Sequence, residues 1–376
     1  MILPGQTVGV LGGGQLGRMF ALRARTMGYR VVVLDPDSLS PAAAVADQHI
    51  RTGYDDPKGL TELSKLCAAV TTEFENVPAR ALERLAETCT VRPSGPSVAT
   101  AQDRIAEKTF FQSHGFATAD FRPVRDPQEV KAAVTQVRLP GLLKTSRLGY
   151  DGKGQILVTD AAEALEAFAR LGSVPCILEE RVELDCELSV IVARKADGAQ
   201  AIFPVAENRH REGILDTSVV PARISQEMAS QATALVTEVA TALDYVGVLA
   251  VELFVTKSGK LLVNEMAPRP HNTGHYTLDA CSVDQFELQL RTLCDLPLVQ
   301  PWLLSPVTMI NLLGDLWSGG EPRWEEALRR PGVRLHLYGK AEARPGRKMG
   351  HLNCLAATAD QALTLALESR EALRRN

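Results

Sequence analysis

Apolar residues near the start of the chain fall in short unbroken runs separated by helix-length segments. Thr7-Val8-Gly9-Val10-Leu11 predicts a buried strand, Gly12-Gly13-Gly14-Gln15-Leu16-Gly17 a tight turn, and a helix follows from about Arg18 to Met27. Val31-Val32-Val33-Leu34 is the next strand and ends at Asp35. Ala68-Ala69-Val70-Thr71-Thr72 is another and runs into Glu73-Phe74-Glu75-Asn76-Val77-Pro78. Short apolar runs alternating with helices are what a parallel sheet covered on both faces requires. The opening segment therefore reads as a doubly wound α/β unit over residues 1–100, and the Pro- and Gly-punctuated stretch from Val91 to Ser97 as its boundary.

Past that boundary the pattern changes. Gln102-Asp103-Arg104 opens a helix reaching about His114, and Pro140-Gly141-Leu142-Leu143-Lys144 is a strand. Cys176 to Val182 and Cys186 to Val192 are two more, while Glu207-Asn208-Arg209-His210 is expected as a polar loop. Val248 to Val255 and Lys260 to Glu265 flank Ser258-Gly259 and predict a β-hairpin. If Lys257 pairs with Lys260, Glu252 falls directly opposite Glu265, and like charges roughly 4.5–5.5 Å apart at Cβ repel. A hard divalent cation, above all Mg²⁺ carrying nucleotide phosphates, turns that conflict into a site. A slipped register with one carboxylate in solvent is the other arrangement open to this hairpin. The segment that follows, Ala267-Pro268-Arg269-Pro270-His271-Asn272-Thr273-Gly274-His275, is dense in anion-binding and proton-transferring groups and favours the first.

Composition narrows the class. A chain of 376 residues is too long for one ordinary core and suggests two or three domains. With 45% hydrophobic and 23% charged residues it has the balance of a soluble globular protein. A net charge of −4 gives no global argument for nucleic-acid binding, so any basic site is local. No apolar run reaches membrane-spanning length, and Met1 to Gln6 leads into a strand where a targeting segment would need a basic region and a long apolar core. The 7 cysteines are scattered and never spaced Cys-x-x-Cys; they read as free thiols of a reducing cytoplasm.

Several segments carry candidate chemistry. Strand, Gly-x-Gly-x-x-Gly turn, helix, strand and terminal acid form the dinucleotide-binding pattern, in which N–H groups at a helix N-terminus approach phosphate. Taken alone it fits an NAD-dependent dehydrogenase; the same turn can hold any phosphorylated ligand. Glu73 and Asn76, at the carboxyl end of a parallel strand, are ligand candidates, with helix capping as the competing role. Lys144 is delivered by its strand ahead of Gly149-Tyr150-Asp151-Gly152-Lys153-Gly154-Gln155, whose amides and ammonium can close over polyphosphate. That loop is not Gly-x-x-x-x-Gly-Lys-Ser/Thr, which excludes the ordinary P-loop class. Glu179 and Glu180 end one strand and Glu187 begins its companion. An acid and backbone amides at a strand end can bind an adenine edge and ribose hydroxyls, although paired acids are also common surface charge. His210 is uninformative in isolation.

In their order along the chain, Lys144, the glycine loop, the Glu179-Glu180-Arg181-Val182 linker, Glu187 and the group Glu252, Asn264 and Glu265 resemble the ATP-grasp ligases. Those enzymes hold ATP between two α+β lobes and make an acyl phosphate. Gly13-Gly14-Gln15-Leu16-Gly17-Arg18, Phe74-Glu75-Asn76-Val77-Pro78, Gln102-Asp103-Arg104, Arg269-Pro270-His271-Asn272, Tyr338-Gly339-Lys340 and Arg347-Lys348-Met349-Gly350-His351 are similar, within them, to the N5-carboxyaminoimidazole ribonucleotide synthetases of purine biosynthesis. The resemblance covers nearly the whole chain. It implies a doubly wound domain at 1–100, an ATP-grasp domain at 101–300 with a mobile lid at about 125–190, and a small C-terminal domain at 301–376.

The same resemblance implies roles. ATP falls to Arg104, Lys144, Gly149, Tyr150, Asp151, Gly152, Lys153, Gly154, Gln155, Glu179, Glu180, Arg181, Val182, Glu187, His210, Asn264 and Glu265. Glu252 and Glu265 hold Mg²⁺, with Mn²⁺ as the alternative. Bicarbonate attacks the γ-phosphate to give carboxyphosphate, and the exocyclic amine of 5-aminoimidazole ribonucleotide captures its carboxyl carbon. Arg269 is the expected clamp for bicarbonate and carboxyphosphate, because its planar fork matches a carboxylate. Tyr150, Asp151, Lys153 and His271 complete the catalytic group, with Tyr150, Asp151 and His271 to orient the substrate or move its proton. Gln15, Asp35, Glu73 and Asn76 are expected on ribose or imidazole, Asn272 also on the substrate, and Lys340, Arg347 and Lys348 on its 5′-phosphate. A cytoplasmic homodimer is implied as well. Thr273 stands where the family pattern has Ser, and Gln289 where it often has His. The formate-dependent glycinamide ribonucleotide transformylase, another ATP-grasp enzyme, and a non-catalytic nucleotide sensor are the remaining readings.

Overall fold

Strands β1 (Thr7–Leu11), β2 (Arg30–Leu34), β3 (Gln48–Ile50), β4 (Ala69–Thr72) and β5 (Thr90–Val91) form a parallel sheet in the order β3-β2-β1-β4-β5. The structure is a computed structural model and describes residues 1–149 and 152–374. Helices α1 (Gln15–Thr26), α2 (Pro57–Leu66), α3 (Ala79–Ala86) and α4 (Gly95–Ala101) accompany the sheet. Val8, Val10, Val31 and Val33 pack with Phe20, Ala21 and Ala24 of α1. Leu11, Val32, Leu34 and Val70 pack instead with Leu60, Leu63, Leu82 and Leu85 of α2 and α3. Both faces are covered, as the unbroken apolar runs require. The segment expected to end the unit starts α4: Ser94 caps that helix by accepting the Ser97 N–H at 3.3 Å.

Helix α5 (Arg104–Ser113) follows, capped by Asp103, which accepts the N–H groups of Ile105 and Ala106. Next, β6 (Phe121–Val124), β7 (Gly141–Thr145), β8 (Gln155–Val158) and β9 (Cys176–Glu180) make a small antiparallel sheet in the order β6-β9-β7-β8. Helices α6 (Pro127–Gln136) and α7 (Ala161–Arg170) pack with it around Val130, Leu143, Val158, Phe168 and Leu178.

The largest sheet is antiparallel and holds β10 (Leu184–Arg194), β11 (Gln200–Ile202), β12 (Ala206–Arg211), β13 (Ile214–Val220), β14 (Gly247–Thr256), β15 (Leu261–Ala267), β16 (Val307–Leu313), β17 (Val333–Leu337) and β18 (Lys348–Leu355). Its order is β15-β14-β10-β12-β13-β16-β18-β17, with β11 beside β10. Residues 207–210, expected as a loop, lie inside β12. Strand β14 is buried on both faces. Leu249 and Val251 meet Val236 and Val239 of α8 (Gln226–Ala242). Val248 and Ala250 pack with Tyr276, just ahead of α9 (Thr277–Ala280), and with Leu288 of α10 (Gln285–Leu293).

The C-terminal strands extend this same sheet, because Thr217 of β13 pairs with Ile310 of β16. Helices α11 (Trp324–Leu328) and α12 (Ala359–Leu373) pack around Ile310, Leu312 and Leu352. The parallel unit is joined to the large sheet through α1 and α10, where Phe20 meets Phe286 and Leu290 and Arg23 pairs with Asp284. Gln289, expected where the family pattern often has His, is buried in that joint. Its amide donates to Thr71 Oγ1 at 3.0 Å and to the Thr72 carbonyl at 3.4 Å, at the end of β4. All seven cysteines are unpaired. Among the described residues no helix is long and apolar enough to cross a membrane.

Candidate active site

Glu252 and Glu265 face each other across β14 and β15, but by a route that turn chemistry did not suggest. Thr256, not Lys257, pairs with Lys260, its N–H donating to that carbonyl at 2.9 Å, and Gly259 takes the left-handed conformation at φ +79°. Leu253 then pairs with Val263, and Asn264 is an extra, bulged residue that brings Glu265 opposite Glu252.

The two carboxylates differ in charge. Arg104 donates to Glu265 at 2.8 Å. Burial works against the Glu265 anion, but Arg104 and then Lys144 outweigh it and pull the carboxyl down to about 2. Glu252 is pushed up to about 7 by burial first and by the Glu265 charge second. Below pH 7 a proton thus relieves the repulsion that sequence reasoning assigned to a cation alone. Two carboxylates with Asn264 beside them still fit a hard cation that takes its other oxygens from phosphate and water. Among the described residues no three His, Cys, Asp or Glu side chains form a metal-binding group.

Other predicted residues gather around this pair. His210 hydrogen-bonds Glu187. Burial disfavours the His210 cation, yet that bond and the charges of Glu252 and Glu187 raise it to about 9, so it is protonated at neutral pH. His271 Nε2 lies 3.5 Å from Glu252 Oε1. Its Nδ1 accepts from the Thr273 N–H at 3.4 Å and lies 3.0 Å from Thr273 Oγ1, which assigns the proton of the neutral ring to Nε2. Burial, then Arg269 and Lys348, hold this imidazole well below its usual range. Gln285 fixes the loop by accepting from the His271 N–H and donating to the His271 carbonyl, each at 2.9 Å.

Arg269 is paired with Glu75, a residue that sequence reasoning quoted only within a motif. Asn272 is 6% exposed, and neither polar atom of its amide has a hydrogen-bond partner among the described residues. A buried amide left in that state points to a ligand.

Lys144 donates to Glu179 at 2.7 Å. Beneath them, α5 carries two acid–base groups that the sequence did not single out: Glu107 accepts the Met266 N–H at 2.6 Å, and Lys108 Nζ lies 3.8 Å from Glu179 Oε1. Their spacing from Arg104 is the signal that was available, since residues three and four apart share one helix face.

Around these groups lie the remaining predicted residues, of which Gly149 accepts from Arg104 through its carbonyl at 3.5 Å. Glu180 and Val182 are half-buried and Arg181 is exposed, with the Glu180 and Arg181 N–H groups donating to the Asp120 and Pro140 carbonyls. Gly149 is half-buried, Gly152 and Gly154 have φ of +74° and +75°, and Lys153 and Gln155 are exposed. Tyr150 and Asp151 fall outside the described residues. Gln15 opens α1 and Asn76 follows β4, both half-buried. Lys340 donates to the Lys348 carbonyl at 2.7 Å and Arg347 to the Glu342 carbonyl at 2.9 Å.

The glycine turn is closed by the chain itself. Gly12 N–H donates to the Leu34 carbonyl at 3.0 Å and Gly13 N–H to Asp35 at 2.7 Å. Glu73 accepts from Gly14 at 2.9 Å and from Gly17 at 3.1 Å, doing at the α1 N-terminus what a phosphate would do. A Cβ on Gly13 would stand 1.8 Å from Ser40 Oγ. The expectation of open amides is therefore corrected: a dinucleotide pyrophosphate would have to expel Asp35 and Glu73 from bonds they already make. Helix capping, the competing role, is the one Glu73 performs here.

Lysine and arginine from α5 and the small sheet, set against paired carboxylates on the large sheet and preceded by a parallel-sheet unit, define an ATP-grasp ligase. The ATP-grasp domain family matches residues 109–286, the ribonucleotide synthetase preATP-grasp domain residues 5–102, and the phosphoribosylaminoimidazole carboxylase C-terminal domain residues 307–364. The chain is 47% identical to the N5-carboxyaminoimidazole ribonucleotide synthase of Brucella melitensis biotype 1 over 351 residues, 93% of this chain and 96% of that one, and it belongs to the N5-carboxyaminoimidazole ribonucleotide synthase family. An ADP complex of N5-carboxyaminoimidazole ribonucleotide synthetase superposes with a TM-score of 0.93 at 43% identity, covering 98% of this chain and 97% of that chain. The Aspergillus clavatus N5-carboxyaminoimidazole synthase in complex with ADP and 5-aminoimidazole ribonucleotide gives 0.90 at 32% identity, with 98% of each chain covered.

Proposed function

We propose that this ligase carboxylates the exocyclic amine of 5-aminoimidazole ribonucleotide with bicarbonate, using ATP as phosphoryl donor, in purine biosynthesis. One observation carries the reading: β15 presents Glu265 to Arg104 and Glu252, and within a few residues of its end come Arg269, His271 and the unsatisfied amide of Asn272. Phosphate-handling and carboxylate-handling groups thus adjoin.

In the first step a bicarbonate oxygen bonds to the γ-phosphorus, the bond to the bridging oxygen breaks, and ADP leaves. In the second, the amine nitrogen bonds to the carboxyl carbon of carboxyphosphate, the carbon–oxygen bond to phosphate breaks, and nitrogen gives up a proton. Arg104 and Lys144 neutralise the polyphosphate, and Arg269, oriented by Glu75, holds the carboxylate in a planar fork. His271 is kept neutral and offers an N–H in place of another cation. Mg²⁺ or Mn²⁺, held by Glu252 and Glu265 beside Asn264, supplies charge neutralisation of the phosphates when bound. Glu179 to Val182, Glu187 and His210 serve the nucleoside end of ATP, and the loop from Gly149 to Gln155 covers its phosphates. Gln15, Asn76 and Asn272 hold the substrate, Lys340, Arg347 and Lys348 its 5′-phosphate, and Asp35 and Glu73 act through the turn they brace. A cytoplasmic homodimer belongs to the same proposal.

The test is ADP release with MgATP and bicarbonate, with and without 5-aminoimidazole ribonucleotide, following loss of the free amine. Strong stimulation with matching amine loss is expected. ADP release without amine loss would redirect the assignment toward the transformylase substrates.

A further inference from the structure

Helix α5 stands between the two sheets that would enclose the nucleotide, and its buried face is tied more firmly to one than to the other. Arg104 bonds Glu265 at 2.8 Å and Glu107 accepts the Met266 N–H at 2.6 Å, so α5 is fastened to β15 of the large sheet. Toward the small sheet the corresponding group is Lys108, only 1% exposed. Its Nζ lies 3.8 Å from Glu179 Oε1 on β9, beyond hydrogen-bond length, and neither atom has another hydrogen-bond partner among the described residues. The other oxygen of Glu179 is bonded by Lys144 of β7 at 2.7 Å. Two buried ammonium groups therefore flank one buried carboxylate, and only one of them is seated.

We propose that Glu179 exchanges partners when nucleotide binds: Lys144 turns to the polyphosphate, and Lys108 closes onto Glu179. Lys108 is then a positioning residue that couples nucleotide occupancy to the seating of the small sheet on α5. The inference rests on the reading of Lys144 as an ATP ligand. Its physical basis is that a buried carboxylate cannot give up its one hydrogen-bonded cation without a replacement. Lys108 is in place to be that replacement, and a motion of less than an ångström by β9 makes the contact. Burial holds the Lys108 ammonium below its usual range, as suits a cation still short of its partner.

Lys108→Met keeps an unbranched stem as far as Cε and removes the charged end. The expected result is roughly tenfold or greater weakening of MgADP binding, an unchanged KM for 5-aminoimidazole ribonucleotide, and loss of the nucleotide-induced amide-exchange protection of residues 176–180 even at saturating MgADP. Unchanged MgADP affinity together with unchanged protection would overturn the exchange. Wild-type chain that binds no MgADP would remove the nucleotide reading itself, a failure distinct from equal binding by both proteins. Should the methionine variant not fold, a crystal structure of the wild-type chain with MgADP decides. Contraction of the gap to about 3 Å with Lys144 on the nucleotide supports the exchange; Lys144 still on Glu179, with the gap open, refutes it.

Discussion

Glu252 and Glu265 stand opposite each other across two strands in different charge states: Arg104 keeps Glu265 ionised, while burial and that neighbouring charge keep Glu252 protonated up to about pH 7. A carboxyl raised in the folded state binds more protons folded than unfolded above its ordinary range, so its contribution to stability falls as pH rises. Glu252 acts this way up to about 7 and Glu107 up to about 8, both chiefly through burial. His210, raised to about 9 by Glu187 against burial, contributes fully below its ordinary value and loses that contribution as pH climbs through 9. All three have the same sign. His271, His275 and His351, held neutral by burial, have the opposite sign and offset this loss below about pH 6.5. In scanning calorimetry Glu252→Gln is therefore expected to make Tm rise more steeply between pH 5 and 7, and the metal- and nucleotide-free wild-type protein to lose about 5 °C or more of Tm between pH 7 and 9. A rising Tm over the latter interval would contradict the assignment.

Glu265→Gln keeps an oxygen for Arg104 and removes the ionised member of the pair. Turnover with MgATP is expected to drop by roughly 10²–10³-fold while circular dichroism and Tm stay near wild type. Near-normal turnover would take Glu265 out of the metal site.

Arg269→Lys preserves charge and loses the fork, so kcat/KM for bicarbonate is expected to fall about 10–100-fold, more than for ATP. Glu75→Gln should move the same parameter in the same direction by a smaller factor, because it releases the guanidinium that it orients. If Glu75→Gln leaves bicarbonate kinetics unaltered, the pair is structural.

Glu73→Ala removes the acceptor of the Gly14 and Gly17 N–H groups. A loss of about 1–2 kcal/mol in urea unfolding is expected, the size of a helix-cap deletion. An unchanged midpoint would show that water replaces the carboxylate without cost.

Lys340→Ala is expected to raise KM for the ribonucleotide about tenfold with KM for ATP unchanged. Equal shifts in both would place Lys340 outside the 5′-phosphate site.

Local signals made much of this legible. Apolar periodicity placed β1, β2, β4, β7, β9, β10 and the β14–β15 hairpin, because burial on one or both faces writes itself into neighbouring residues. Segments of the chain that match a family pattern named the charged groups, and Lys144, Glu179, Arg104, Glu187, His210, Glu252 and Glu265 do come together. What the tertiary structure alone decided are relations between residues far apart. Arg269 finds Glu75 194 positions away, and Arg104 finds Glu265 161 away; no window of sequence contains such a pair. Glu73 and Asp35 fill the glycine turn because the sheet order puts their strand ends beside β1, a fact of topology that composition does not carry. Residues 207–210 look like a loop locally but pair with β13, and Glu207 and Asn208 pair with β10 on the other side as well. The Glu252–Glu265 pairing shows the division within one hairpin: both acids are visible in the chain, yet their register depends on a bulge at Asn264, and a bulge is settled by packing across strands, not by the residues of the turn.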